Sequence, residues 1–187
     1  MRNKIILVGG YCAAGKTTFA RRLSQELTIP CFEKDTIDET LCDAVGAESV
    51  KKIDKKSEDI AFALMLHIVE RFLQVGEHCI LENVFDLKEL DELKMLLEKY
   101  NCECLLFLLK GNPDVMFDRY VERDKSGERH WIHVPADKEW LGWFQNDMPK
   151  MYNLEEAAIE RTVVVDATSF VDIDYANLID IARGFLA

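Results

Sequence analysis

The 187-residue sequence lacks several features that would place it elsewhere. No apolar run approaches the ~20 residues that a membrane-spanning helix needs, which speaks against helical spans and a membrane partner. No C-x-x-C pair occurs among the six cysteines, at 12, 31, 42, 79, 102 and 104. The usual signs of a zinc site or a redox dithiol are therefore missing. Several of these cysteines stand in apolar runs, and they read as reduced core residues of a cytoplasmic protein. No block of lysines and arginines offsets the formal charge of −11. An acidic surface repels polynucleotides, so a nucleic-acid partner is not expected. Arg2, Lys4 and a five-residue apolar run open the chain; the run is too short for a signal peptide and reads as a first strand. There are no repeats, low-complexity segments or linkers. With 49% hydrophobic and 30% charged residues, the expectation is one globular domain over residues 1–187, as a monomer or homodimer.

What is present begins at residue 9, with G-G-Y-C-A-A-G-K-T-T. Gly10, Gly15, Lys16 and Thr17 fit G-x-x-x-x-G-K-[ST], the phosphate-binding P-loop. Lys4-Ile5-Ile6-Leu7-Val8 before it reads as a buried parallel strand. Thr17 to Leu27 after it reads as a helix, with Phe19, Ala20, Leu23 and Leu27 on one face. Glycines let the backbone curl so that its N–H groups face oxyanions, and the helix adds the positive end of its dipole. The expected nucleotide site is Gly10, Cys12, Ala13, Ala14, Gly15, Lys16, Thr17 and Thr18. Lys16 reaches the β- and γ-phosphates and Thr17 ligates Mg²⁺. Cys12 reads as a small space-filler.

Strand and helix signals then alternate. Ile29 to Phe32 reads as a second strand, running into Glu33-Lys34-Asp35, and Thr36 to Val45 as a helix. Residues 46–56 are charged and irregular. Ser57 is placed to cap a helix reaching Val75, with Ile60, Ala61, Leu64, Met65, Ile68, Phe72 and Leu73 as its buried stripe. His78 to Val84 is a third strand. Asp86 and Glu89 resemble a capping box for a helix to about Tyr100. Glu103 to Leu109 is a fourth strand, and Asn112-Pro113 opens a helix to about Asp124. A polar stretch to Val134 follows, then a helix from Asp137 to Asp147, a fifth strand at Thr162–Asp166 and a last helix over about 173–185. Alternating β and α units predict an α/β fold, a parallel sheet covered on both faces, with ligands at the carboxyl ends of the strands.

Those strand ends carry the candidate chemistry. Asp35 ends the second strand and suits a proton acceptor or orienter for a substrate hydroxyl attacking the γ-phosphate; Asp38 is one turn on. Glu82 follows Cys-Ile-Leu, the apolar-run-then-acid pattern of a metal- or water-positioning carboxylate, and Asn83 beside it suits substrate orientation. The alternatives are that Asp35 only caps a helix and that Glu82 is structural. Arg119 and Arg123 share a helix face, and Arg129 follows in the polar segment. Arg123 and Arg129 suit charge neutralisation on a transferring phosphoryl group, against the alternative of a salt-bridged surface helix. His130 is a weaker candidate. Trp131, Trp140, Trp143, Phe144 and Tyr152 either wall a pocket or, as the better reading, pack a helix.

Together, the N-terminal P-loop, Asp35, the I-L-E-N strand end and the R-x-x-x-R-x5-R-H segment resemble the small P-loop kinases. The nearest groups are the zeta-toxin-like and chloramphenicol-phosphotransferase-like kinases, with shikimate, gluconate and nucleoside monophosphate kinases as wider relatives. The resemblance spans essentially the whole chain and is most specific at the P-loop. It implies a P-loop NTPase three-layer α/β/α fold with sheet order 2-3-1-4-5, a lid at about 124–136, ATP as donor and Mg²⁺ as cofactor. It further implies that Asp35 lies near the acceptor hydroxyl, that Arg119 stacks on adenine near Ala167 and Thr168, and that Arg123 and Arg129 touch phosphates. The expected activity is transfer of the γ-phosphoryl group of ATP to a hydroxyl of a small molecule. The sequence departs from shikimate kinases in having no D-x-D after the second strand and no G-G-G after the third. It departs from adenylate kinases in lacking D-G-[FY]-P-R. A nucleoside or nucleotide kinase, an ATP-hydrolysing switch and a toxin acting on a sugar nucleotide stay open as alternatives.

Overall fold

An uninterrupted apolar run is most stable in the middle of a sheet with both faces covered, and Lys4–Gly10 (β1) is found there. The structure is a computed structural model and describes residues 3–46, 56–127, 129–133, 135, 137–151, 159 and 161–187. Arg2, residues 47–55 of the stretch expected to be irregular, residues 128, 134 and 136 of the expected lid, and Tyr152 lie outside them. Ile5, Ile6, Leu7 and Val8 of β1 are fully buried. The strand pairs in parallel with Cys79–Glu82 (β3) on one side and Glu103–Lys110 (β4) on the other, with Leu7 opposite both Leu81 and Leu106. Cys31–Glu33 (β2) lies beyond β3 and Arg161–Asp166 (β5) beyond β4. The order is therefore β2-β3-β1-β4-β5, the doubly wound three-layer arrangement expected for a P-loop fold.

The helices cover the sheet through apolar faces that their sequences dictate. Lys16–Leu27 (α1) buries Phe19, Ala20 and Leu23, and the Phe19 ring meets Phe107 of β4 edge-on at 5.2 Å. Burial of this kind contributes about 1.5–3 kcal/mol per large side chain, and here it fixes the helix that follows the P-loop. Tyr175–Leu186 (α8) joins α1 through Tyr175, whose ring lies 5.8 Å from Phe19. Lys34–Val45 (α2) and Ser57–Val75 (α3) pack together, and Leu87–Lys99 (α4) is tied to α3 where Lys99 and the Tyr100 hydroxyl both reach Glu70. Pro113–Lys125 (α5) and Lys138–Asn146 (α6) share an aromatic cluster, with Tyr120 stacked on Trp140 and edge-on to Phe144. Met148–Met151 (α7) is one turn. Among the described residues no helix is long and apolar enough to cross a membrane.

Four local differences from expectation have physical causes. First, β2 ends at Glu33 and α2 starts at once, so Asp35 sits in a first helical turn, where the dipole favours an acid. The buried Glu33 carboxylate organises this start: it accepts two 2.6 Å hydrogen bonds from Arg21 and one of 2.8 Å from the Thr36 hydroxyl. Second, β3 stops at Glu82 rather than Val84. The Asn83 carboxamide oxygen takes the Val84 N–H at 2.7 Å, a local bond that competes with the ladder, and Phe85 then turns with φ +52°. Third, the buried stripe of α3 is rotated. Phe62 and Val69 are in the core, whereas Leu64 is 43% exposed. Fourth, Ser57 is the first helical residue and Lys56 holds the cap position without a side-chain bond; Glu58 and Asp59 supply the first-turn charge instead. The capping box at Asp86 and Glu89 forms in both directions.

Candidate active site

The phosphate loop is shaped by two glycines that nothing else could replace. Gly10 has φ +124°, and a Cβ there would stand 2.0 Å from the Leu109 carbonyl oxygen. The next N–H, of Tyr11, donates to that oxygen at 2.9 Å, so the loop leaves the sheet pinned to β4. Gly15 has φ +82° at the start of α1, and a Cβ there would meet the Phe170 ring at 3.0 Å. Between them Cys12, Ala13 and Ala14 form the crown, with Ala13 at φ +59°. Lys16 is buried and its ammonium donates to the Tyr11 carbonyl at 3.1 Å, across the mouth of the loop. Cys12 lies among the site's charges. Burial pushes its thiol up, and Asp35 adds to that, while Lys16, Arg123 and Arg129 oppose it.

β1 and β3 bring Val8 and Glu82 side by side, so the expected metal pair comes together across the sheet. The Thr17 hydroxyl donates to Glu82 at 3.1 Å. Glu82 is 4% exposed, and burial pushes its carboxyl up to about 7. Asp35 and Glu33 push it the same way, whereas Lys16 and the Thr17 hydroxyl pull it down. A hydroxyl and a buried carboxylate in a negative surrounding form a hard-oxygen set that fits Mg²⁺, an ion usually held by one or two protein groups plus phosphates and water. Among the described residues no group of three or more His, Cys, Asp or Glu is placed to hold a metal without such help.

Two adjoining cavities flank this point. One, of about 670 Å³, is lined by the P-loop residues 12, 13 and 15–18, by Glu82, and by Arg123, Arg129 and His133. The other, of about 530 Å³, lies between the first turns of α3 and α4. Lys34, Asp35, Glu58 and Val84 line both. Asp35 is exposed into this junction, and Asp38 lines the first cavity while accepting from the Cys42 thiol at 3.6 Å.

The remaining candidates divide. Arg123 is exposed; Arg129 is largely buried, donates to Asp124 at 3.1 Å and lies 4.1 Å over the Tyr120 ring. Both line the P-loop cavity. Arg119 does not join them. It donates to the Ala167 and Thr168 carbonyls at 2.6 and 2.8 Å and stacks 3.7 Å from the Phe170 ring, on the side of the loop after β5. Asn83 is buried, and its amide donates to Glu89 at 2.8 Å while its oxygen takes the Val84 N–H. His130 is paired with Asp43 of α2 at 2.9 Å and does not line the cavity. Phe144 is core, while Trp140 and Trp143 both pack α5 and line the P-loop cavity; Trp131 is half-exposed and donates to Asp43.

Sequence reasoning missed several lining residues. His133 reaches Glu39 of α2 at 2.7 Å, a pairing across 94 positions that no local pattern carries. Phe170 packs against both Gly15 and Arg119, and only its place after the fifth strand could have marked it. Lys34 adjoins Asp35, and its ammonium meets Glu89 at 2.9 Å. Burial pulls that ammonium down, but Glu89, Glu58 and Asp35 outweigh it and hold Lys34 above its usual value.

Comparison with known proteins agrees with this architecture. Over 100% of both chains, a kinase candidate from Chloroflexus aurantiacus J-10-fl superposes with a TM-score of 0.86 at 22% identity. A shikimate kinase from Bacteroides thetaiotaomicron gives 0.63 at 20% identity over 97% of each chain. A gluconokinase from Sinorhizobium meliloti 1021 gives 0.57 at 19% over 100% of this chain and 93% of that one. At such identities the likeness bears on the fold. No curated protein matches the chain. The AAA_33 family model, an AAA domain, matches residues 5–145, which contain the P-loop, Glu82 and all three arginines, and the chain belongs to that family.

Proposed function

We propose that the protein is a kinase that transfers the γ-phosphoryl group of ATP to a hydroxyl of a small molecule, in the manner of the zeta-toxin-like and chloramphenicol-phosphotransferase-like enzymes. The observation that carries this reading is Asp35, exposed where the P-loop cavity opens into a second cavity of about 530 Å³. A hydrolase needs room for water beyond the γ-phosphate; a kinase needs a site for a second substrate, and the second cavity offers one.

In this reading the N–H groups of residues 10–18 cradle the phosphates. Lys16 swings from the Tyr11 carbonyl onto the β- and γ-oxygens. Thr17 and Glu82 would hold Mg²⁺, which when bound would offset the charge of the phosphates. Arg123, near the end of α5, and Arg129, on a lid over about 124–136, neutralise the transferring group and exclude water. Arg119 and the Ala167–Thr168 backbone form the side that receives the base. Asp35 orients the acceptor hydroxyl and takes its proton, and Asp38 supports it. Asn83 acts at one remove, by holding Glu89 and hence Lys34 at the junction. The cytoplasm, where ATP is available, is the expected compartment.

The test is acceptor-stimulated ATP turnover. With Mg²⁺, ADP production should rise many-fold on addition of the right hydroxyl compound and fall by about 10²–10⁴-fold in Asp35→Asn, the range for loss of a general base. Slow turnover that no acceptor stimulates and Asp35→Asn leaves unchanged would favour the ATP-hydrolysing switch.

A further inference from the structure

Resting on the kinase reading, we infer that the acceptor is a cationic amino alcohol: a small molecule carrying the reacting hydroxyl at one end and an ammonium group further along, as in amino sugars and alkanolamines. The inference comes from the balance of charge among the described residues that line the second cavity.

That cavity, of about 530 Å³, opens onto the phosphoryl-transfer point at Asp35 and runs away from it between α3 and α4. Among the described residues two lysines line it. Lys34, 13% exposed at the inner end, is held by Glu89 at 2.9 Å, and Lys88 at the rim lies 3.7 Å from Glu92 on the next turn. The Asp86 carboxylate is spent on the Glu89 N–H that starts α4. Glu58 and Asp59, both exposed in the first turn of α3, stand along the wall; among the described residues Glu58 pairs with the exposed Lys56 at 3.2 Å. Between these acids and Asp35 lie Phe62, Ala63, Val84 and Met151, an apolar strip suited to a carbon skeleton.

The half-buried Lys34 responds to these same acids. An ammonium moved out of water should lose its proton more easily. Instead Glu89, Glu58 and Asp35 outweigh that loss and hold Lys34 above its usual value. The cavity thus already stabilises one ammonium at its inner end. Among the described residues lining the cavity, the carboxylates of Asp35, Glu58, Asp59, Asp86, Glu89 and Glu92 outnumber Lys34 and Lys88, so a carboxylate- or phosphate-bearing acceptor would meet an excess of like charge. A cationic acceptor meets Glu58 and Asp59 while its hydroxyl lies at Asp35. The hydroxyl oxygen then bonds to the γ-phosphorus as the bond from the bridging oxygen to that phosphorus breaks. ADP leaves, and the hydroxyl proton passes to Asp35 and on to water.

The experiment is transfer of labelled γ-phosphate from ATP to matched acceptors. Each amino sugar or amino alcohol is tested beside its N-acetyl derivative, its hydroxyl isostere and a carboxylated counterpart. Free amines should be preferred, the preference should shrink as salt is raised, and N-acetylation should abolish it. The double change Glu58→Gln/Asp59→Asn should raise KM for the amine on the order of tenfold, as for loss of a partly desolvated charge contact. The variant's circular dichroism and unfolding midpoint should stay near those of the parent, which shows that it folds, and KM for neutral acceptors should move much less than KM for the amine. Label entering neutral or carboxylated members as readily as amines overturns this inference while leaving the kinase reading in place. Label entering no member of any class overturns the kinase reading, and the inference falls with it.

Discussion

Replacing Glu82 by glutamine should make the metal-free protein more stable, increasingly so as pH rises from about 4.5 to about 7. Glu82 is 4% exposed, and burial carries its carboxyl from the ordinary 4.5 to about 7. Between those values the folded protein keeps a proton that the unfolded chain has released. The folded state binds more protons, so stability falls as pH rises through this window and the loss is complete above about 7. At about 1.36 kcal/mol per pKa unit, the rise corresponds to roughly 3 kcal/mol. Glutamine keeps the shape and an oxygen for the Thr17 hydroxyl but cannot ionise. Glu82→Gln should therefore match the parent near pH 5 and exceed it by up to about 3 kcal/mol at pH 8, or about 6–12 °C in Tm for a chain of this size. Thermal and urea denaturation in a chelator at the two pH values would measure it. A variant destabilised equally at both would show that the carboxylate charge is not a burden on the fold, and the reasoning about its metal-binding poise would fail with it.

Lys16→Ala should abolish phosphoryl transfer while leaving circular dichroism and the unfolding midpoint near those of the parent; retained transfer would refute the role given to the loop. Gly10→Ala places a Cβ 2.0 Å from the Leu109 carbonyl at φ +124°, and should cost about 4 kcal/mol or more, read as a Tm drop of at least about 8 °C. Arg21→Ala strips two of the three described hydrogen bonds from buried Glu33. Burial pushes that carboxyl up, but Arg21 and Thr36 outweigh it and hold it below the usual range, so its contribution is present above about 4.5 and lost as pH falls further. Because Arg21 is 61% exposed, solvent screens part of the effect, and about 2 kcal/mol should be lost at pH 7 and much less near pH 3. Urea midpoints that shift equally at both pH values would contradict it.

The strand that feeds the P-loop and the parallel sheet were legible, because each follows from a local motif or from the rule that βαβ units build parallel sheets, whereas the order of the strands came from the resemblance to small P-loop kinases. Asp35 was found by residue type, but its setting was not. The sequence placed it at a strand end, and the structure puts it in a helix whose start depends on Arg21, twelve residues before Glu33. Asn83 looked available to a substrate because nothing local announces that Glu89, six residues on, takes its amide. The buried face of α3 was misread by Leu64, an apolar residue left 43% exposed, while Phe62 and Val69 faced inward. Periodicity fixes that a helix has a buried face; only the partners fix which one. By spacing alone Arg119 and Arg123 share a helix face, and only the resemblance set Arg119 apart from Arg123 and Arg129. Arg119 lies one turn from Arg123, yet its guanidinium is drawn to the carbonyls after β5, and that separation follows from how distant segments meet.

The central claim is that a second substrate, not water, receives the phosphoryl group. It is tested most directly by partition of labelled γ-phosphate between organic product and inorganic phosphate, in the parent and in Asp35→Asn, with ATP, Mg²⁺ and a small-molecule extract as acceptor pool. The account predicts label in an organic phosphate ester that Asp35→Asn fails to form while it still binds ATP. Label recovered only as inorganic phosphate, at the same rate with and without the pool, would contradict it.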